Sequence, residues 1–119
     1  MHHFKNLKVW QKSIDLTTAI YFITTSFPAD EKYGLTSQIR RAAVSVPSNI
    51  AEGAGRKSPR EFNHFLTIST GSIFELETQI IVAHRLKLID ELLMNEICLK
   101  ISEIQKMLYG LQKSISSGS

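Results

Sequence analysis

Cysteine is nearly absent from the 119 residues. The single one, Cys98, excludes an intrachain disulfide and fits a reducing compartment. No apolar run approaches the about 18 residues of a membrane span. No charged-then-apolar leader precedes a small-residue cleavage site, so a soluble, cytoplasmic protein is expected. Three prolines and six glycines, set mostly between periodic segments, leave room for long helices. Strand-type alternation is missing throughout. The Gly-rich run Glu52 to Ser58 lacks the Gly-x-x-x-x-Gly-Lys spacing of a phosphate loop and follows no strand. A di-metal carboxylate site needs two Glu-x-x-His motifs, and only Glu61 with His64 supplies one; at His84 the partner position is Ile81. Cys98 lies between Ile97 and Leu99 with no histidine close in sequence, which reads as an inert, buried thiol. No catalytic residue, metal, cofactor or small-molecule substrate is therefore expected, and the chain does not read as an enzyme. Aromatic residues make up 8% and few interleave with the basic ones, so base stacking is not indicated.

What is present is helical periodicity in four segments, at about 7–26, 36–54, 59–87 and 91–115, forming one domain over 1–119. In the first, Leu7, Trp10, Ile14, Thr17 and Tyr21 form one apolar stripe beside a second made of Leu16, Ile20, Ile23 and Phe27. Asn6 is placed to cap this helix, and Pro28 ends it by excluding Phe27 from helical geometry. Gly34 is available for a positive φ, and Thr36 for capping the second helix. Gly53 or Gly55 can supply the left-handed residue that closes that helix. Ser58, Pro59 and Glu61 make a capping box with proline at the first helical position. In the third segment Phe62, Leu66, Ser69, Ile73, Leu76, Ile80 and Ala83 hold one face, and Gly71-Ser72 marks close approach of another element. Asp90 caps the fourth, whose Ile97, Ile101, Ile104, Leu108, Leu111 and Ile115 form a heptad-like seam ahead of a fraying tail from Ser114. With short connections, the expected architecture is all-α, an antiparallel up-down-up-down four-helix bundle.

The stretch from Gln38 to Gly53 organises the rest. Ile39, Ala43, Val46 and Ile50 make its core stripe; Arg41, Ser45, Ser48 and Glu52 repeat the same steps on the opposite side. Pro47 removes an N–H in mid-helix, where a kink is expected. Ser45, Asn49, Glu52 and Glu75, with Arg40 or Arg41, are expected to form a buried or interfacial polar network that fixes helix pairing, rather than an acid/base cluster. Phe74, Ile81 and Leu88 form a second apolar line off the core face, an expected homo-oligomer interface. Charge is uneven under a net +3: residues 1–60 carry nine Lys/Arg against four acids, and residues 61–119 carry five against seven. The excess centres on Arg40, Arg41, Arg56, Lys57 and Arg60, the candidate nucleic-acid contacts. His2 and His3 carry no argument.

Phe4, Leu7, Val9 and Trp10; Phe27, Pro28, Glu31 and Tyr33 to Thr36; Gln38 to Arg56 with its Arg-Arg-Ala-Ala-x-Ser-x-x-x-Asn-x-Ala-Glu-Gly core; Glu61, Phe62, Phe65 and Leu66; and Gly71, Ser72 and Glu75 to Gln79 together resemble a known family. It is the bacterial four-helix bundle family that includes proteins encoded in intervening sequences of large-subunit ribosomal RNA genes, and the resemblance covers nearly the whole chain. It implies an antiparallel bundle that assembles into a ring-like homopentamer. A more distant set of similar bundles serves reverse transcription in diversity-generating retroelements and binds nucleic acid through a basic surface, an analogy of fold alone. The leading expectation is a non-enzymatic oligomeric bundle that binds RNA, DNA or a nucleoprotein partner through phosphate contacts. The alternative is a purely structural or protein-interaction module with no nucleic-acid role.

Overall fold

The computed structural model describes residues 3–31 and 34–118. Tyr33 of the family-like pattern and His2 lie outside the described residues. Four α-helices follow in order, α1 (Lys8–Thr24), α2 (Leu35–Ala54), α3 (Pro59–Arg85) and α4 (Glu91–Gly118), with short 3-10 turns at Phe4–Asn6 and Ala29–Glu31. There is no strand among the described residues. α1 touches α2 and α4, and α3 touches α2 and α4, while the pairs α1/α3 and α2/α4 face each other across the core. The chain is all-helical and fits a four-helix bundle.

The core is one cluster drawn from all four helices. Leu16 and Ile20 of α1 meet Ile39, Val46 and Ile50 of α2, Leu66, Ile73, Leu76 and Ile80 of α3, and Ile97, Ile101, Ile104 and Leu108 of α4. These are the positions that the helical period marks as inward. α2 and α3 make the most extensive pairing. Its closeness rests on Gly53, where a Cβ would stand 2.8 Å from Phe65 Cβ and 3.1 Å from the Phe62 carbonyl.

Two caps form as the sequence indicates. Ser58 Oγ accepts the Glu61 N–H at 3.1 Å and donates to the Glu61 carboxylate at 3.2 Å. Asp90 Oδ1 accepts the Leu93 N–H at 2.8 Å. Others differ. Asn6 is drawn into the first 3-10 turn, so Leu7 takes the N-cap position of α1 with no side-chain bond, and Phe4 and Trp10 close the corner edge to face at 5.2 Å. Thr36 lies inside α2, its hydroxyl buried without a hydrogen-bond partner among the described residues, while Glu31 Oε1 accepts the Leu35 N–H at 3.4 Å. Neither Gly34, Gly53 nor Gly55 adopts a positive φ. The left-handed residue instead is Lys87, at φ 64, where Leu88 N–H reaches Ala83 O and Lys87 N–H reaches His84 O, both at 2.9 Å, the paired bonds of a Schellman closure. That closure ends α3 two residues before the expected Lys87. α4 in turn carries through the tail to Gly118.

α2 runs unbroken through the buried Pro47. The proline leaves the Ala43 carbonyl without its helical donor, and Thr17 Oγ1 of α1 supplies one at 3.0 Å, sharing its hydrogen with Ser13 O at 2.7 Å. The backbone defect in α2 thus becomes a tie between two helices.

Candidate nucleic-acid interface

The five candidate cations do not converge. Arg40 lies near the start of α2 and Arg56 two residues beyond its end, with roughly 21 Å of helix between Arg40 and Ala54. Arg40 turns inward to α1: its Nε donates to Thr24 Oγ1 at 2.8 Å, an NH2 donates to Tyr21 O at 3.2 Å, and the guanidinium lies 4.7 Å from the Tyr21 ring centroid. Its neighbour Arg41 is exposed on the outer face of α2.

The other three meet at the corner between α2 and α3. Arg56 donates to Glu52 Oε2 at 3.0 Å and lays its guanidinium 4.8 Å from the Phe65 ring centroid. The Lys57 and Arg60 side chains are exposed and make no hydrogen bond or ion pair among the described residues. The capping box sets this geometry by starting α3 at Pro59, which puts Arg60 and His64 four residues apart on one outer face. His64 is exposed and meets Phe65 edge to face at 5.4 Å. Arg56, Ser58, Arg60, Glu61, His64 and Phe65 line a pocket of ≈ 610 Å³ there. The aromatic pair is hidden in the sequence because it sits a full turn or more beyond the charges, and only the chain reversal brings Arg56 onto Phe65.

The polar network is smaller than expected and has another member. Ser45 and Ser72 hydroxyls meet at 2.8 Å across α2 and α3, and Asn49 Nδ2 donates to Ser45 O at 2.8 Å and Ser45 Oγ at 3.0 Å. Ser69 adds a buried bond to Val46 O at 2.9 Å. Glu52 stays outside, paired with Arg56, and Glu75 is exposed. Neither arginine joins, because Arg40 points to the other side of α2 and Arg41 outward. Gly71 does not mark an approach within the chain, since a Cβ there would meet nothing within 4 Å. Its neighbour Ser72 makes the contact instead.

Of the expected interface line, Phe74 is 55% and Ile81 39% exposed. Leu88 falls beyond α3 and is half-buried against the core. α4 adds Leu92, Leu99 and Tyr109 as exposed apolar side chains, which the heptad reading of its inner seam passed over. Cys98 is half-buried rather than buried; burial first, and then the Glu77 carboxylate, push its thiol pKa up. Among the described residues no group of three His, Cys, Asp or Glu side chains is placed to hold a metal ion, and no helix is long and apolar enough to cross a membrane.

A solved structure from Bacteroides thetaiotaomicron VPI-5482, a protein of unknown function from the S23 ribosomal protein family, superposes with a TM-score of 0.79 at 24% identity, covering 88% of this chain and 98% of that one. At that identity the likeness concerns the fold. No curated protein matches the chain. The sequence itself matches, over residues 5–110, the family described as 23S rRNA-intervening sequence protein. With that match across nearly its whole length, the chain belongs to the 23S rRNA-intervening sequence protein family.

Proposed function

We propose that this chain is a non-enzymatic, cytoplasmic, homo-oligomeric bundle that binds RNA or DNA, free or in a nucleoprotein, through its α2–α3 corner. The observation that carries the reading is the corner itself: Lys57 and Arg60 exposed and unpaired among the described residues, with Arg56 held beside them. Cations without a carboxylate partner are free to neutralise phosphates. The arrangement of the bundle is antiparallel. In support, Ser45 pairs with Ser72 and Val46 with Ser69, Arg40 meets Thr24 while Ala43 meets Thr17, and Gln105 meets Glu77 while Gln112 meets Asn63. In each set, residue numbers fall on one helix as they rise on the next.

Self-association is supported by apolar side chains that this chain leaves uncovered, Phe74 at 55%, Leu92 at 71%, Leu99 at 73% and Tyr109 at 68% exposure. Large apolar side chains left in water are what a self-association surface would cover. The family resemblance implies a pentameric ring, in which each protomer would repeat the cationic corner and gain avidity.

The purely structural reading has its own observation: Arg40 and Arg56 are already engaged within the chain. Charge reversal separates the two. Replacing Lys57 and Arg60 together by Glu should weaken binding of a labelled RNA by at least about tenfold, uniformly across sequences, with oligomer mass unchanged. Unaltered affinity in that variant favours the structural module.

A further inference from the structure

The pocket at the α2–α3 corner has features that phosphate neutralisation alone does not use. Arg56 is held over the Phe65 ring, 4.8 Å from its guanidinium carbon, and by the Glu52 carboxylate at 3.0 Å, yet its side chain stays 42% exposed. A guanidinium backed by an aromatic ring presents a preformed planar surface, and such planes stack on nucleobases. His64 adds a second exposed ring, 5.4 Å from Phe65 and inclined at 74° to it. The volume of ≈ 610 Å³ lies within the range of ligand clefts, about 300–1,000 Å³.

The polar lining also says where the negative charge goes. Ser58 and Glu61 close the capping box on each other, so the Glu61 N–H is occupied and a carboxylate lies in the pocket. The Glu61 carboxylate offsets one of the two guanidinium charges in that lining, Arg56 and Arg60, so a bare phosphate gains less there than beside unopposed cations, while a neutral, flat group loses nothing. Arg60 belongs to the lining and Lys57 lies next in the chain to the lining residues Arg56 and Ser58; the side chains of both are exposed and without partners among the described residues. The pocket thus combines a guanidinium–aromatic floor with cationic side chains in and beside its lining. A second concavity, lined by Ile81, His84, Arg85, Lys87 and Met94, offers no such floor, and its cations sit at the C-terminus of α3, where they answer the helix dipole.

We propose that the α2–α3 pocket is a subsite for one nucleotide unit of a single-stranded polynucleotide, with the base stacked on the Arg56–Phe65 pair beside His64 and the flanking phosphates taken by Lys57 and Arg60. This rests on the nucleic-acid reading and adds to it a preference for unpaired over duplex strands, because a base inside a duplex cannot enter the pocket.

The test compares two labelled strands of about 12 nucleotides, within the usual site sizes, a mixed-sequence single-stranded RNA and an abasic strand with the same phosphates, binding to the full-length protein at about 50 mM salt. The base-bearing strand should bind on the order of 5- to 100-fold tighter than the abasic one. Arg56→Lys, which keeps the charge and loses the plane, and His64→Ala should each reduce that ratio while leaving affinity for the abasic strand within about twofold. Both residues are exposed, so neither change removes a core contact. Equal binding of the two strands by the unaltered protein overturns the subsite and leaves phosphate-driven binding standing. Binding of neither strand overturns both.

Discussion

Gly53 is the residue on which the α2–α3 pairing depends. Its role is steric, because the space a Cβ would need is filled by Phe65 Cβ at 2.8 Å, Phe62 Cδ1 at 3.0 Å and the Phe62 carbonyl at 3.1 Å. An alanine inside a helix ordinarily gains about 1 kcal/mol over glycine. Here Gly53→Ala should instead destabilise by about 1–3 kcal/mol or more, since overpacking against backbone has nowhere to relax, and urea unfolding measures it. A stabilised variant would mean that the two helices are not in contact at this depth. The Glu-Gly-Ala-Gly run was visible in the sequence but suggested a left-handed helix end, because composition cannot distinguish a glycine needed for torsion from one needed for proximity. Arg40 illustrates the same gap. Its charge was legible; its commitment to Thr24 and the Tyr21 ring depends on a helix sixteen residues and more away.

At the scale of the element, α2 is a helix whose defect is repaired by its neighbour. Pro47 was legible as the loss of a hydrogen bond, while the donor that replaces it, Thr17, read only as one position of an apolar stripe. Replacing Thr17 by Val should cost on the order of 1 kcal/mol by leaving the Ala43 carbonyl without a donor. In a Pro47→Ala background the restored N–H serves that carbonyl, so the same change should cost much less. Chemical denaturation of the four proteins of this cycle gives the coupling directly. An equal cost in both backgrounds would show that Thr17 contributes packing alone. Helix starts were readable where a side chain closes on its own first turn, as at Ser58 and Asp90. At Asn6 and Thr36, tertiary packing decides the boundary and the local signal loses.

For the molecule as a whole, the four apolar stripes determine the core, and every fully buried isoleucine and leucine named above lies on a face that the helical period marks. What the period does not give is the outer surface: which apolar residues remain uncovered, and which cations stay free once Arg40 and Arg56 are engaged. The proposed function lives on that surface, in three cationic side chains and an aromatic pair brought together by one chain reversal. If phosphates are neutralised there, log affinity for single-stranded RNA should fall linearly with log salt, by about 0.7 per phosphate contacted. Engagement of Lys57 and Arg60 in even two protomers contributes about 2.8 to that slope, or roughly a fiftyfold loss between about 50 and 200 mM salt. The direct measurement is therefore a salt series of RNA-binding titrations on the intact, mass-verified protein. The account predicts binding at about 50 mM salt with a slope at least that steep. Absence of binding at that salt, or an affinity indifferent to it, would contradict the proposal.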